Sequence, residues 1–343
     1  MEEREKSRDD IVLEYTRMEL TFAVESWPIR GAFTISRGAK TEAQVIVATI
    51  RDGEYKGRGE CVPYLRYGES IESVQKQIAA VKNAIERGLG REELQKLLPA
   101  GASRNALDCA LWDLEAKKTG KTIWELAGIQ NPKRMSTAFT LSIDTPEVMA
   151  ETAAEASKEY SLLKVKLGVD GVEERLKKIR EAAPKARLII DANEGWNADN
   201  LVSMVKTCES FGVELIEQPL PAGDDSALQN LKTSIKICAD ESAHAANDIP
   251  KLVGRYTAVN IKLDKTGGLT EALDMAQKAK EAGLSIMSGC MVSTSLAMAP
   301  ATVIAQHADY VDLDGPLLLL KDREPGIEYK SGTIFPTTPA LWG

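Results

Sequence analysis

Histidine is almost missing from this chain. His244 and His307 are the only two in 343 residues, so a His-rich metal site has no donors and a Ser-His-Asp triad is disfavoured. The five cysteines, Cys61, Cys109, Cys208, Cys238 and Cys290, are odd in number and far apart. That spacing gives neither a disulfide ladder nor a zinc knuckle, and it leaves reduced, mostly buried thiols as the expectation. No run of about 18 apolar residues occurs, and the charged segment Met1 to Asp10 lacks the apolar centre of a signal peptide. The expectation is a cytoplasmic protein with no membrane partner. Basic excess is lacking too: the net charge is -8, which gives phosphate backbones nothing to hold and argues against nucleic acid. What is present is ordinary globular material, 43% hydrophobic and 27% charged, enough to close a sizeable core. A small-molecule role follows by default, and its acid–base chemistry falls to carboxylates and lysines.

The order of patterns along the chain divides it. Alternating strands open it, Leu20 to Val24 and Ala43 to Ile50, with Asp52-Gly53 as a hairpin turn signal. Helical spacing follows over Ile71 to Arg87 and Arg104 to Lys118. Strands and helices segregated in this way predict an α+β unit over residues 1–134. From Met135 a short apolar strand, a polar turn and an amphipathic helix repeat. The strands fall at Thr137–Leu141, Leu162–Leu167, Arg187–Asp191, Leu215–Glu217, Ile237–Asp240, Ala258–Lys262, Ser285–Met287 and Tyr310–Leu313. Eight units predict an α/β fold, a closed (β/α) barrel over 135–317, with an open doubly wound sheet as the alternative. The proline-bearing segment 318–343 is expected to return to the first unit. The Met1–Tyr15 stretch reads as a frayed arm.

The ionisable residues collect at the C-terminal ends of these strands, where barrel enzymes build their sites. Asp191, Glu217 and Asp240 end three consecutive strands. One such acid is ordinarily a loop start or helix cap. Three brought together repel, unless a hard cation neutralises them, and oxygen donors without His or Cys favour Mg²⁺, or Mn²⁺, over Zn²⁺. Lys164 and Lys166 precede these acids on one face of a strand, and Lys262 follows them on the other side. Two amines facing each other across a carbon next to a carboxylate can remove its proton from one face and return one to the other. A lysine serves as such a base when nearby cations and desolvation lower its pKa.

Together, Lys164-x-Lys166, Asp191-Ala-Asn193, Glu217-Gln-Pro219, Asp240-Glu-Ser242 and Asn260-Ile-Lys262 resemble the motifs of the enolase superfamily, muconate-lactonizing subgroup, and most closely its dipeptide epimerases of the L-Ala-D/L-Glu type. The resemblance runs from Trp27-Pro28 through Pro316. It implies a modified TIM barrel with a capping domain, a Mg²⁺ held by Asp191, Glu217 and Asp240, and Lys166 and Lys262 as acid/base catalysts. It further implies that Lys164 touches the substrate carboxylate and that Asn193 and Glu241 orient ligands and lysines. Asp312 and Asp314 would clamp a dipeptide's α-ammonium group, and Arg37 would grip a glutamate side chain. Thr140 would line the pocket, and the stretch Ser288 to Met291 would contribute backbone contacts to the dipeptide. N-acyl amino acid racemisation, o-succinylbenzoate synthesis and cycloisomerisation are the other fates of the same intermediate, and a non-catalytic binding protein on this barrel is the alternative from another class. Oligomeric state is not legible; a homo-oligomer is compatible with the sequence.

Overall fold

The computed structural model describes residues 17–36 and 38–343. Three antiparallel strands open it, β1 (Glu19–Ile35), β2 (Gly38–Asp52) and β3 (Tyr55–Cys61), paired in that order. Two helices pack on them, α1 (Ile71–Glu86) and α3 (Ala102–Thr119), with α2 (Arg91–Leu97) set against α3, followed by one short turn of helix, α4 (Ile123–Leu126). A core of its own supports this unit, with Leu20, Ile46 and Ile50 from the sheet set against Ile78, Ile85, Leu107 and Leu111 from the helices. β3 lies unusually close to α3 because Gly57 and Gly59 face it. A Cβ at Gly59 would overlap the carbonyl oxygen of Ala106, and one at Gly57 that of Ala110. Gly59→Ala should therefore destabilise the protein by roughly 1–3 kcal/mol through overpacking. Chemical denaturation checks this, and an unchanged midpoint would contradict the close approach.

After β4 (Met135–Ser136) the βα repeat begins. β5 (Phe139–Leu141) leads to α5 (Pro146–Ala156), β6 (Leu162–Lys166) to α6 (Val172–Ala182), and β7 (Arg187–Asp191) to α7 (Ala198–Ser210). β8 (Val213–Glu217) and β9 (Lys236–Ala239) follow, then α8 (Ile249–Leu252) and β10 (Ala258–Ile261) with α9 (Leu263–Thr266) and α10 (Leu269–Glu281). β11 (Ser285–Ser288), α11 (Ser295–Ala305) and β12 (Tyr310–Val311) complete the series. The eight strands β5 to β12 form one parallel sheet in sequential order. Its ends meet: Ala138 N donates to Val311 O at 2.8 Å and Leu313 N to Thr137 Oγ1 at 3.0 Å, so the sheet curls into a barrel rather than the open alternative. Where the expected and observed barrel strands differ, it is by a residue or two at the ends.

Inside the barrel the pleat sorts residues into layers. Ala138, Leu162, Ile189, Leu215, Cys238, Ala258, Met287 and Tyr310, one from each strand or its edge, form an apolar plug. Two residues further along each strand come Thr140, Lys164, Asp191, Glu217, Asp240, Asn260, Gly289 and Asp312. Side chains repeat every second residue, so this polar set is the next layer toward the C-terminal rim. The larger core lies outside the strands, beneath the helices.

The chain's last part joins both units. β13 (Tyr329–Lys330) and β14 (Thr333–Ile334) pair with β4 on the barrel side. Beyond them Trp342 Nε1 donates to Cys109 O and Gly343 N to Asp113 Oδ1, both on α3. Glu60 on β3 adds a buried strut. Its carboxylate accepts from Thr294 N at 2.8 Å and pairs with Arg323 at 2.7 Å, so strand, barrel helix and C-terminal segment share one charge pair.

Candidate active site

Lys166, Asp191 and Glu217 stand side by side across three adjacent strands, because Lys166 pairs in register with Asp191 and Asp191 with Glu217. All three are buried, as are Asp240, Lys164 and Lys262. Lys166 Nζ lies 2.5 Å from Asp191 Oδ2. Lys164 Nζ sits between three acids, 2.6 Å from Glu217 Oε2, 2.7 Å from Asp312 Oδ2 and 3.4 Å from Asp191 Oδ2. Lys262 Nζ is 2.7 Å from Asp240 Oδ2 and 3.7 Å from Glu217 Oε1. β6 and β10 are four strands apart in a ring of eight, so Lys166 and Lys262 reach the axis from opposite sides.

Burial alone would raise the acids and lower the lysines; here the pairing decides. For Asp191, Lys166, Lys164 and Lys262 outweigh burial and hold the carboxyl well below the usual range. For Asp240, Lys262 and Lys265 do the same. Glu217 goes the other way: burial and the charge of Asp191 push it up in spite of Lys164 and Lys262. Lys164 and Lys262 are held well above the ordinary lysine value, since their acid partners outweigh burial. The lowering expected for a lysine base is therefore not seen at Lys262 in this state.

The remaining expected residues separate into groups. Thr140 N donates to Asp314 Oδ2 at 2.6 Å. Asp314 is pushed up to about 7 by burial and by Asp312, which Thr140 and Lys164 offset only in part. Asp312 Oδ1 is buried without a hydrogen-bond partner. Asn193 adopts a left-handed φ of 47° and donates its N–H to Asp191 Oδ1 at 2.9 Å, fixing that carboxylate. Glu241 is buried beside Asp240. Met291 is half-buried, four residues along from the plug residue Met287. The Ser288 hydroxyl points out to Ala301 O on α11, because Met287 and Gly289 take the inward positions, which leaves its backbone for the expected contact. Its carbonyl accepts from Asp312 N, so it supports that acid from behind. Arg37 lies outside the described residues, as does the Met1–Tyr15 arm.

Residues 17–128 match the mandelate racemase / muconate lactonizing enzyme N-terminal domain, and residues 148–339 the enolase C-terminal domain-like family. The chain belongs to the enolase superfamily. It is 48% identical over 311 residues to an L-Ala-D/L-Glu epimerase of Escherichia coli K12, covering 90% of this chain and 97% of the relative. It is 49% identical over 301 residues to an N-acetyl-D-glutamate racemase of a Pseudoalteromonas species, covering 87% and 95%. Among solved structures, an Agrobacterium tumefaciens enolase family member with homology to dipeptide epimerases, with bound sodium and L-Ala-L-Glu, superposes with a TM-score of 0.93 at 51% identity, covering 95% of this chain and 100% of that one. An Enterococcus faecalis dipeptide epimerase complexed with Mg and L-Leu-L-Tyr does so at 0.87 and 29%, covering 95% and 98%. The chain is an isomerase of the epimerase and racemase type.

Within this superfamily site the acids do not form a ready-made cage. Among the described residues no three His, Cys, Asp or Glu side chains stand in metal-holding geometry. The ammonium groups of Lys164 and Lys262 lie between the acids instead. The residues nevertheless fit a hard divalent cation. The donor set is all oxygen. Glu217 Oε2 has the charge of Lys164 nearby but no hydrogen donated to it, and its carboxyl is the one that the lysines fail to hold down.

Three supporting residues were given no role in the sequence analysis, although Gln218 and Asn260 stand in its motifs. Lys265, fully buried, donates to Asp240 Oδ1 and O, both at 2.6 Å, and to Asn260 O at 2.9 Å. Asn260 Nδ2 donates to Glu217 Oε1 at 2.7 Å. Gln218, at φ 34°, accepts from Asp240 N and Ser242 N while donating to Leu220 O and Tyr256 OH. Asn260 was legible, because the period of two that turns Lys262 inward turns it inward as well.

Proposed function

We propose that this chain is a dipeptide epimerase that interconverts L-Ala-D-Glu and L-Ala-L-Glu by moving a proton at the α-carbon of the C-terminal residue. Lys166 and Lys262, arriving from opposite sides, would each remove the proton from one face and return one to the other. Lys164 would contact the substrate carboxylate, with Thr140 and Met291 along the pocket. Asp191, Glu217 and Asp240 would hold Mg²⁺, or Mn²⁺, with Asn193 and Glu241 orienting them. Bound there, the cation would supply positive charge for the enediolate oxygens and spend the carboxylate charge that now raises Lys262. Arg37 is proposed for the glutamate side-chain carboxylate. A cytoplasmic role in recycling cell-wall peptides fits such a substrate.

One observation carries the dipeptide reading. Asp312 and Asp314 share a single cation, Lys164 at Asp312 Oδ2, which leaves one charge uncompensated: the other oxygen of Asp312 has no partner, and Asp314 is pushed up to about 7. A substrate α-ammonium is the cation that this pair is short of.

A second reading is favoured by the racemase relative, whose N-acetylated substrate has the same acidic carbon but no ammonium. Steady-state kinetics on L-Ala-D-Glu and N-acetyl-D-glutamate separate the two. The wild type should prefer the dipeptide. Asp314→Asn should raise the dipeptide KM by about 10- to 100-fold, the worth of a hydrogen bond to a charged group, and move the N-acetyl substrate little. Faster turnover of N-acetyl-D-glutamate by the wild type would establish the second reading instead.

A further inference from the structure

The two lysines are held by different parts of the molecule. The end of β6 beyond Lys166 is tied to the barrel, with Leu167 N donating to Asp191 O and Trp196 Nε1 to Gly168 O. The capping domain approaches Lys166 through the ring of Phe33, 5.7 Å from Nζ. Lys262 is tied otherwise. Its carbonyl starts α9, accepting from Lys265 N and Thr266 N, both at 3.0 Å, so its backbone moves with that turn.

The turn is gripped by the capping domain. Asp264 Oδ1 accepts from Val62 N, just past β3, at 2.9 Å and from Asn105 Nδ2 on α3 at 2.8 Å. Arg104 on α3 donates to Thr266 O at 2.6 Å and Gly267 O at 3.1 Å. Asp108, one turn further, accepts from Thr270 N at 3.0 Å and so caps α10, whose own N-cap is the side-chain-less Gly268. Gly267 and Gly268 have φ of 74° and 111°, and a Cβ on either would strike Arg104 or Asp108. Asp264, Arg104, Asn105 and Asp108 are all buried.

We propose that Asp264 is a positioning residue for Lys262, through which the capping domain sets one of the two lysines while leaving the other to the barrel. The inference rests on the two-lysine reading and adds an asymmetry to it. When the substrate C–H bond breaks, its proton passes to the neutral amine on that face, exchanges with solvent on the nitrogen, and a deuteron can return to the same carbon from D₂O. Loosening Lys262 therefore slows exchange of the epimer whose α-hydrogen faces it. The other epimer keeps exchanging through Lys166.

The experiment measures α-deuterium incorporation by ¹H NMR with the Mg²⁺-loaded enzyme in D₂O, starting separately from L-Ala-D-Glu and L-Ala-L-Glu. Lys262→Met identifies the epimer that depends on Lys262. Asp264→Ala should slow that same epimer about tenfold or more, the scale of misplacing a catalytic group by a fraction of an ångström, and leave the other within about threefold. Asp264→Asn, which keeps an oxygen for Val62 N and Asn105 Nδ2, should restore most of the loss. Asn105→Ala, which removes the α3 donor of the two that hold Asp264, should skew the ratio in the same direction, and it serves if Asp264→Ala does not fold. Equal slowing of both epimers would overturn the positioning role while leaving the two-lysine reading intact. A Lys262→Met enzyme that exchanges both epimers alike would overturn that reading itself.

Discussion

Lys166→Met is expected to lower epimerisation by about 10²- to 10⁴-fold, the range a positioned acid or base contributes. Methionine is close to lysine in length, so the buried site is not emptied. What disappears is one amine from the row Lys166, Asp191 and Glu217. Asp191 then keeps Lys164 at 3.4 Å and the N–H of Asn193, so its carboxylate remains held. Affinity for a divalent cation should not fall, because a competing positive charge has been removed. Loss of turnover with metal binding retained is the signature of a missing proton carrier, whereas collapse of the site would lose both. Turnover of L-Ala-D-Glu alongside isothermal titration with Mg²⁺ checks it. Activity within tenfold of wild type would mean that Lys166 carries no proton.

Glu217→Gln should separate metal binding from stability. Glu217 is fully buried, and burial with Asp191 raises its pKa above the ordinary carboxylate value. The sign of the linkage follows. A carboxyl with a raised folded pKa keeps its proton in the native state where the unfolded chain has lost it, so its contribution falls as pH rises through that interval. At neutral pH the neutral amide should therefore leave the metal-free protein as stable as wild type, even though Lys164 loses a partner. The cost appears with metal. Removing a ligand charge should weaken Mg²⁺ binding by more than the roughly 10- to 100-fold that losing an outer partner costs. At a concentration 100 times the wild-type Kd, Mg²⁺ stabilises the wild type by about 2.7 kcal/mol, and most of that should vanish in the variant. Thermal unfolding with and without Mg²⁺ reads both effects. An equal Mg²⁺-induced rise in Tm for both proteins would remove Glu217 from the cation's ligands.

Strand-level structure was legible in the sequence because each barrel strand is a short apolar run between polar turns, and the acids that interrupt the runs mark the rim. The same period of two predicted that Lys164 and Lys166 share a face, and both prove buried on the axis side of β6. The limits have physical causes. β1 and β2 run to Ile35 and from Gly38, well beyond the alternating cores read from sequence, because residues 30–32 and 38–42 are exposed and 33–35 only half-buried, with no alternation between the two faces. Ser288 was expected to contribute only backbone, and its place between the inward Met287 and Gly289 turns its hydroxyl to the outer face of the sheet. Lys265 and Asp264 were not singled out. Their importance comes from contacts with Asp240 on a neighbouring strand and with Asn105 on α3, 159 positions away, and no local spacing encodes those. Arg37 lies outside the described residues, so its role rests on resemblance.

The most direct test of the whole reading is the fate of a single hydrogen. L-Ala-D-Glu is incubated in D₂O with the Mg²⁺-loaded enzyme and followed by ¹H NMR and mass spectrometry. The account predicts L-Ala-L-Glu with one deuterium at the glutamate α-carbon, none at the alanine α-carbon, and no exchange once Mg²⁺ is chelated. Inversion that retains the original hydrogen in every product molecule, or exchange that proceeds undiminished without a divalent cation, would contradict it.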